Sequence, residues 1–169
     1  PLPTGVTDAA FCSLYRYVLT NLCDAYNPQA VVLCTGADGL QGDPLVASTD
    51  LGWNLSPEGI AECVRFAAEH CGASKRKLMV LGAGGYNPVA TARTFLLCTA
   101  AACEGARPGM LWNELPKDVP RHVHFERYGP DFRLVEIQRR HSETEESSGC
   151  DSLSVEARKA VDLTVLNLQ

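Results

Sequence analysis

The sequence predicts an α/β protein with a parallel sheet. Two uninterrupted apolar runs, at residues 30–34 and 77–82, have the length of strands and the character of strands buried on both faces. Segments with helical periodicity lie before, between and after them. A buried strand, a helix and a second buried strand in succession form a right-handed crossover, which makes the two strands parallel.

The first helix is predicted over residues 7–28. Thr7 is a candidate N-cap, the apolar side chains that follow recur at i, i+3 and i+4, and Asn27 and Pro28 end the pattern. The first strand, "AVVLC", follows at once.

Two further helices are predicted, over residues 55–72 and 87–105. Each begins with a capping residue followed by proline, and each ends at a glycine. The capping pairs and the final glycines are Ser56-Pro57 with Gly72, and Asn87-Pro88 with Gly105.

The pattern weakens after the third helix. Residues 107–138 contain four prolines and no sustained period, so they predict irregular structure with at most one short strand. Residues 139–152 are polar and predict a mobile linker, and residues 153–169 a short C-terminal helix. The chain therefore divides into a domain over 1–138, a linker and a helix.

Composition excludes several classes of function. The chain has 169 residues, enough for one domain with a real core. A formal charge of −5 disfavours direct binding of nucleic acid, which needs a basic face. No apolar window is long enough to span a membrane. The eight cysteines form no C-x-x-C motif and lie mostly in apolar segments, which indicates reduced thiols in an intracellular protein.

Both strands run into glycine-rich loops at the same edge of the sheet, where parallel sheets bind ligands. Asp38 follows the first strand and is either an Asx-turn or a carboxylate that acts as a metal ligand or base. Tyr86 follows the second and is either a buried aromatic with a bonded hydroxyl or a phenol that stabilises an oxyanion. Gly84 and Gly85 would let the backbone approach a ligand closely.

Two other kinds of site fit less well. "GAGGYN" has Asn87 at the third glycine position of a dinucleotide motif, and no acidic residue closes a following strand. His122 and His124 could chelate a metal along a strand, but no third ligand is evident.

The motifs taken together resemble the zinc-dependent histone deacetylases, most closely class I, over nearly the whole chain. They are "PLPTGVTD", "NPQAVVLCTGADGLQGDPL", "NLSPEGIAECVRF", "LGAGGYNPVATAR", "NELP" and "YGPDFRL". The resemblance implies the three-layer arginase/deacetylase-like fold with a parallel sheet. Residues 1–138 would be the C-terminal half of the catalytic domain.

The resemblance also implies a role for each site residue. Asp38 matches the third zinc ligand, and Tyr86 the tyrosine that polarises the acetamide carbonyl and stabilises the tetrahedral oxyanion. Leu45 matches a wall residue of the acyl-lysine tunnel, with Gly84 and Gly85 beside it. Zinc and a histidine base would activate water to hydrolyse N-acetyl-lysine in histones or other proteins, giving acetate and free lysine.

Part of that site is expected outside this chain. The family's other zinc ligands, an Asp-x-His pair, and its tandem catalytic histidines precede the segment that begins at Pro1, and a structural K⁺ would also be held there. We expect an N-terminal fragment of the same deacetylase to be the partner of this chain. Alone, the chain should be inactive and bind zinc weakly. The resemblance places such an enzyme in the nucleus, the cytoplasm or both.

Three departures from the family pattern affect these expectations. Ala83 replaces one glycine of the family's tetrad, which is tolerable if its φ is negative. Residues 46–52 lengthen the loop after Leu45 at the tunnel rim, which leaves the substrate preference open. Pro44 and Val89 replace the arginines of an inositol-phosphate site, which we expect to be absent.

Two other functions remain open. The chain could belong to a non-catalytic, deacetylase-like interaction module whose other half has lost its ligands. It could instead act on acetylpolyamines or other small amides, for which Asp50 is the local candidate for an acidic gatekeeper. Retention of Tyr86 favours catalysis.

Overall fold

The computed structural model describes residues 2, 4–47, 52–106 and 115–134, together with five residues of the C-terminal segment. The elements, in order, are α1 (Asp8–Tyr26), β1 (Ala30–Thr35), α2 (Pro44–Ala47), α3 (Pro57–Ala73), β2 (Lys77–Gly82), α4 (Pro88–Ala106) and a 3₁₀ turn (Phe125–Tyr128). The two strands and the three long helices predicted from the sequence are confirmed, with ends that differ by no more than two residues. The short helix α2 was not predicted.

β1 and β2 pair in parallel, from Ala30 opposite Lys77 to Thr35 opposite Gly82. α3 is the connection between them, so the predicted crossover and parallel pairing are confirmed. The described residues thus form a mixed α/β protein with a small, two-stranded parallel sheet.

One face of this sheet is uncovered. Val32 and its register partner Met79 are 62% and 57% exposed, and Cys34 and its partner Leu81 are exposed beside them. The expectation that both faces are buried is therefore wrong for the described chain. Alternate strand residues point to opposite faces, and α3, which contacts both strands, lies against the other face.

α1 and α3 lie side by side and run in the same direction. Near their first turns, Asp8 accepts hydrogen bonds from the Ser56 N–H at 2.8 Å and hydroxyl at 2.6 Å. Near their last turns, Arg76 donates to the Cys23 carbonyl at 3.1 Å. The Ser56 oxygen also accepts from the Gly59 N–H at 3.1 Å, which confirms the predicted N-cap of α3.

α3 and α4 form the most extensive helix contact in the core. Gly105 allows this close approach, because a Cβ at that position would lie 2.7 Å from both the Ala68 Cβ and the Arg65 carbonyl oxygen. Around this contact lies a single apolar cluster made of Val6, Ala37, Leu40, Leu55, Ile60, Ala61, Val64, Leu97, Cys98 and Ala101.

Residues 115–134 are tied to α4 through Arg93. This buried guanidinium donates to the Arg133 carbonyl from Nε at 3.1 Å and Nη2 at 2.7 Å, and lies 5.3 Å from the centre of the Tyr128 ring. The Val119 N–H donates to the Phe132 carbonyl at 2.8 Å, within a short antiparallel contact. This arrangement agrees with the predicted irregular segment that has little strand.

Several sequence predictions fall outside the described residues. They include the polar linker at 139–152 and most of the loop extension at 46–52, including Asp50. Within the predicted C-terminal helix, the described residues 155, 158, 159, 162 and 166 are helical, and the division of the chain into three parts stays a prediction. The seven cysteines that the structure describes are free thiols. Nowhere in the described chain is there a helix with the length and apolar character needed to cross a membrane.

Candidate functional site

The loops that follow β1 and β2 are joined by main-chain hydrogen bonds. The Ala83 N–H donates to the Thr35 carbonyl at 3.0 Å, and the Ala37 N–H donates to the Gly84 carbonyl at 2.6 Å. Parallel pairing therefore continues past the strand ends. It brings the loop that carries Asp38 against the loop that leads to Tyr86.

The carboxylate of Asp38 lies between two glycines, one from each loop. A Cβ at Gly84 would lie 2.6 Å from the Asp38 Cγ, and a Cβ at Gly36 would lie 2.5 Å from the Asp38 Oδ1. Any side chain at either position would displace the carboxylate. The Asp38 carboxylate can therefore occupy this position only because residues 36 and 84 are glycines.

Asp38 has no polar partner in the part of the chain that the structure describes. No described residue gives its half-buried carboxylate a hydrogen bond or an ion pair. The side-chain hydrogen bond of an Asx-turn, the ordinary alternative for this aspartate, is accordingly not found among these contacts. The Asp38 oxygens are therefore left to solvent or to a ligand.

Asp43, five residues later, is the opposite case. Its carboxylate is 2% exposed, and Oδ2 accepts from the N–H groups of Tyr86 at 2.7 Å and Asn87 at 3.3 Å. Its Oδ1 accepts from the Leu45 N–H at 3.0 Å, in the first turn of α2. One buried side chain thus fixes the backbone of both loops.

No role for Asp43 was predicted from the sequence. The signal was present, because an aspartate directly before a proline is a typical helix N-cap and Pro44 begins α2. The hydrogen bonds to Tyr86 and Asn87 had no local signal, since these residues lie more than 40 positions along the chain.

The side chains of Tyr86 and Leu45 face outward. They are 56% and 52% exposed, and the Tyr86 hydroxyl has no hydrogen-bond partner among the described residues. The alternative in which Tyr86 is a buried aromatic is therefore wrong for this chain. Asp43 fixes the backbone of Tyr86, while the phenol of Tyr86 remains exposed and able to contact a ligand.

The remaining glycine of this loop is required by its backbone. Gly85 has φ +145°, and a Cβ there would lie 2.5 Å from the Thr91 Oγ1 and 3.0 Å from the Ala37 Cβ. Ala83, which replaces a family glycine, does not have positive φ. The condition under which that replacement is tolerated is met.

A cavity of about 180 Å³ lies between β1, α1 and α3, and Asp38 forms part of its wall. Tyr15 and Thr35 also line it, and the hydroxyls of both are buried without a described partner. Burial is the largest cause that raises the pKa of the Tyr15 phenol. The phenol therefore stays neutral, and Tyr15, Thr35 and Asp38 supply polar groups to a cavity whose lining is mostly apolar.

The described residues do not complete a metal centre. Nowhere in them do three His, Cys, Asp or Glu side chains come together with metal-binding geometry. The rings of His122 and His124 have centroids 6.2 Å apart, and both residues are exposed. Asp38 is suited to supply one carboxylate ligand, whereas a zinc site needs at least three protein ligands.

Comparison with protein families gives one clear match. Residues 1–102 match the histone deacetylase domain. This chain belongs to the histone deacetylase family. The match includes both strands, both site loops and most of α4.

Individual relatives agree with this assignment. Histone deacetylase 6 of Arabidopsis thaliana is 40% identical over 134 residues, which are 79% of this chain and 25% of the relative. Histone deacetylase 8 of Xenopus laevis is 32% identical over 134 residues, 79% of this chain and 36% of the relative. Histone deacetylase 1 of Homo sapiens is 32% identical over 134 residues, 79% of this chain and 24% of the relative. The chain thus spans about a quarter to a third of the length of these deacetylases.

Proposed function

We propose that this chain is the C-terminal part of the catalytic domain of a zinc-dependent lysine deacetylase. The enzyme hydrolyses N-acetyl-lysine in histones or other proteins to acetate and free lysine. The observation that carries this proposal is the contrast between two aspartates of one loop. Asp43 is fully engaged by backbone N–H groups, whereas Asp38 is held between Gly36 and Gly84 with no described partner.

Asp38 fits the role of a zinc ligand by its chemistry and position. It is a carboxylate at the carboxyl edge of a parallel sheet, held in place by glycine backbone rather than by a counter-charge. Zinc, when bound, polarises a carbonyl oxygen and makes water nucleophilic at neutral pH. The other ligands, the catalytic histidines and any structural K⁺ belong to the N-terminal segment in this proposal.

Tyr86 is the catalytic residue of this chain. Its outward phenol donates a hydrogen bond to the acetamide oxygen, where negative charge develops during hydrolysis. Asp43 fixes the Tyr86 backbone in advance, so less reorganisation is needed when the charge forms. Leu45, Gly84 and Gly85 line the path of the acyl-lysine side chain, and the exposed Leu45 supplies an apolar contact to its methylenes.

The partner of this chain is the N-terminal part of the same deacetylase. The uncovered sheet face, defined by Val32, Cys34, Met79 and Leu81, is a continuous apolar patch of the kind that marks an interaction surface. In the three-layer arginase/deacetylase arrangement, further chain covers this face and extends the sheet. The described chain alone lacks both that cover and the remaining ligands, so it is inactive by itself.

Residues 1–138 form the catalytic part, followed by the linker at 139–152 and the helix at 153–169. The enzyme acts in the nucleus, the cytoplasm or both, in the regulation of chromatin or of other proteins. It makes no direct contact with nucleic acid, and Pro44 and Val89 leave it without an inositol-phosphate site.

The first test uses the full-length protein. Native mass spectrometry should find one zinc per catalytic domain, and the purified protein should release acetate from an acetyl-lysine peptide. A zinc-free, inactive full-length protein would overturn the proposal in favour of an interaction module. Faster turnover of an acetylpolyamine than of the peptide would move the substrate class to small amides.

The fragment is tested in the same assay. This chain expressed alone should be inactive and zinc-free. Co-expression with the N-terminal segment should restore both zinc and activity. A chain that is active alone would contradict the proposed division of the site.

A further inference from the structure

Two thiols meet where α1 packs on α3, away from the loops of the candidate site. The Sγ atoms of Cys12 and Cys63 lie 3.6 Å apart, with Cys63 as donor. The Cys12 thiol in turn donates to the Gly59 carbonyl at 3.3 Å. A disulfide has an S–S distance of about 2.05 Å, so the pair is in contact but reduced.

The two thiols differ in access. Cys12 is half-buried and lines a groove of about 990 Å³ between α1 and α3, beside Arg16 and Glu62, with Arg158 of the C-terminal segment also in the lining. Cys63 is 5% exposed and faces the inner cavity that Asp38 also lines. A small reagent in the groove therefore reaches Cys12 first, with Cys63 directly behind it.

The two thiols also differ in acidity. The hydrogen bond from Cys63 is the largest cause that lowers the pKa of the Cys12 thiol, and the same hydrogen bond raises the pKa of Cys63. Of the two thiols, Cys12 is therefore the one that ionises more readily, and it is also the one that lines the groove.

We propose that Cys12 and Cys63 form a redox-active dithiol that reacts with peroxides and closes to a disulfide between α1 and α3. The site is separate from the proposed deacetylase chemistry and does not depend on it. It requires only a two-electron oxidant that is small enough to enter the groove.

The reaction balances as two steps. The Cys12 thiolate attacks one oxygen of hydrogen peroxide, which breaks the O–O bond, forms a sulfenic acid and, with a proton from solvent, releases water. The Cys63 sulfur then attacks the Cys12 sulfur, which expels the hydroxyl group as a second water with the proton of Cys63. The two cysteines lose two electrons, and the peroxide gains them.

The other described cysteines differ from this pair. Cys98 is buried, and burial raises the pKa of its thiol to about 11. Cys23 and Cys71 are both buried, and burial is the largest cause that raises the pKa of each. Cys34 on β1 and Cys103 on α4 are exposed, and neither makes a hydrogen bond with another described thiol.

The test is peptide mapping of the full-length protein after treatment with hydrogen peroxide and alkylation of the remaining thiols. We expect one dominant cross-linked peptide that joins Cys12 to Cys63 and disappears after reduction. The oxidised protein should also have a Tm several degrees higher, because the disulfide restricts the unfolded chain.

Variants separate the two roles. In Cys63→Ser, peroxide should leave Cys12 as a sulfenic acid that dimedone traps, whereas Cys12→Ser should leave Cys63 unmodified. Cys98→Ser is the matched control and should keep the cross-link. The proposal is overturned if wild-type Cys12 is oxidised without a bond to Cys63, or if the dominant disulfide joins other cysteines. The cross-linked peptide and the Tm shift are both measured on the wild-type protein, so the test does not depend on whether a variant folds.

Discussion

The N–H of Tyr86 donates a 2.7 Å hydrogen bond to the buried carboxylate of Asp43, which stands in the other loop of the candidate site. Tyr86 has an exposed side chain on an immobilised backbone, and the residue that immobilises it also caps α2 through the Leu45 N–H. The proposed catalytic phenol and the proposed tunnel wall are therefore positioned by one carboxylate. In the proposed reaction Asp43 acts through Tyr86 and Leu45, because its own carboxylate is buried and accepts hydrogen bonds from their N–H groups.

Replacing Asp43 with alanine tests this positioning role. Three N–H groups lose their acceptor, those of Leu45, Tyr86 and Asn87. The free energy of unfolding should fall by about 2–4 kcal/mol, since each buried donor left unpaired costs about 1 kcal/mol or more. Urea unfolding measures the loss, and Asp24→Ala, at an exposed position of α1, is the control expected to be neutral.

Asp43→Asn tests the same role more gently. Its amide keeps one oxygen acceptor and presents an NH₂ group to the remaining N–H donors, so stability should lie between the wild type and Asp43→Ala. Turnover of the full-length enzyme should fall while zinc content stays unchanged. Wild-type turnover in a folded Asp43→Asn protein would contradict the positioning role.

Replacing Asp38 should have the reverse pattern. The Asp38 carboxylate has no described protein partner, so Asp38→Ala should leave the free energy of unfolding of the zinc-free protein nearly unchanged, within about 0.5 kcal/mol. Zinc content by elemental analysis and turnover should both collapse. A zinc-replete Asp38→Ala protein would rule out ligation by this residue. A large loss of stability without zinc would mean that Asp38 is structural.

The helices and strands that were predicted correctly have signals in the sequence at their own positions. Ser56 before Pro57 and Asn87 before Pro88 mark helix starts within the sequence itself, and the Ser56 and Asn87 side chains do accept hydrogen bonds from the first turn of their helices. The four-residue helix α2 is too short to show a period.

The features that the sequence could not predict depend on residues far away along the chain. Asp43 accepts hydrogen bonds from the N–H groups of Tyr86 and Asn87, which come after a whole crossover unit, so this part of its role has no local pattern. The apolar residues of β1 and β2 predicted burial on both faces. They cannot say that Val32 and Met79 are exposed in the described chain, because an apolar side chain has the same sequence pattern whether or not another segment covers it.

A methyl group at Gly84 tests how Asp38 is held. The added Cβ would lie 2.6 Å from the Asp38 Cγ, and this overlap must push the carboxylate out of its position. In the full-length protein, Gly84→Ala should lower zinc occupancy and reduce turnover. The matched control is Gly72→Ala, where a Cβ meets nothing within 4 Å and φ is not positive. Equal zinc binding in both variants would show that the Asp38 position is not critical.

The uncovered sheet face makes a prediction about assembly. Val32→Glu would place a charge in the proposed interface with the N-terminal segment, where burial of a charge without a partner is costly. Co-purification of this chain with that segment should fall at least about 10-fold, which corresponds to about 1.4 kcal/mol. Val123→Glu is the control, because Val123 is 92% exposed and does not belong to the sheet. Equal co-purification of both variants would show that another surface makes the contact.

Removal of one oxygen from Tyr86 tests the chemistry most directly. The hydroxyl has no described partner, so Tyr86→Phe should leave zinc content and the free energy of unfolding unchanged. Turnover of an acetyl-lysine peptide should fall about 10²-fold or more, the usual loss when one oxyanion donor is removed. The effect should appear in kcat more than in KM, because the hydrogen bond strengthens as charge develops on the oxygen. Tyr26→Phe, at an exposed position at the end of α1, controls for the loss of a phenol elsewhere. If Tyr86→Phe kept near-normal kcat, the phenol would not be the oxyanion donor, and the exposed ring would be only a contact for the substrate.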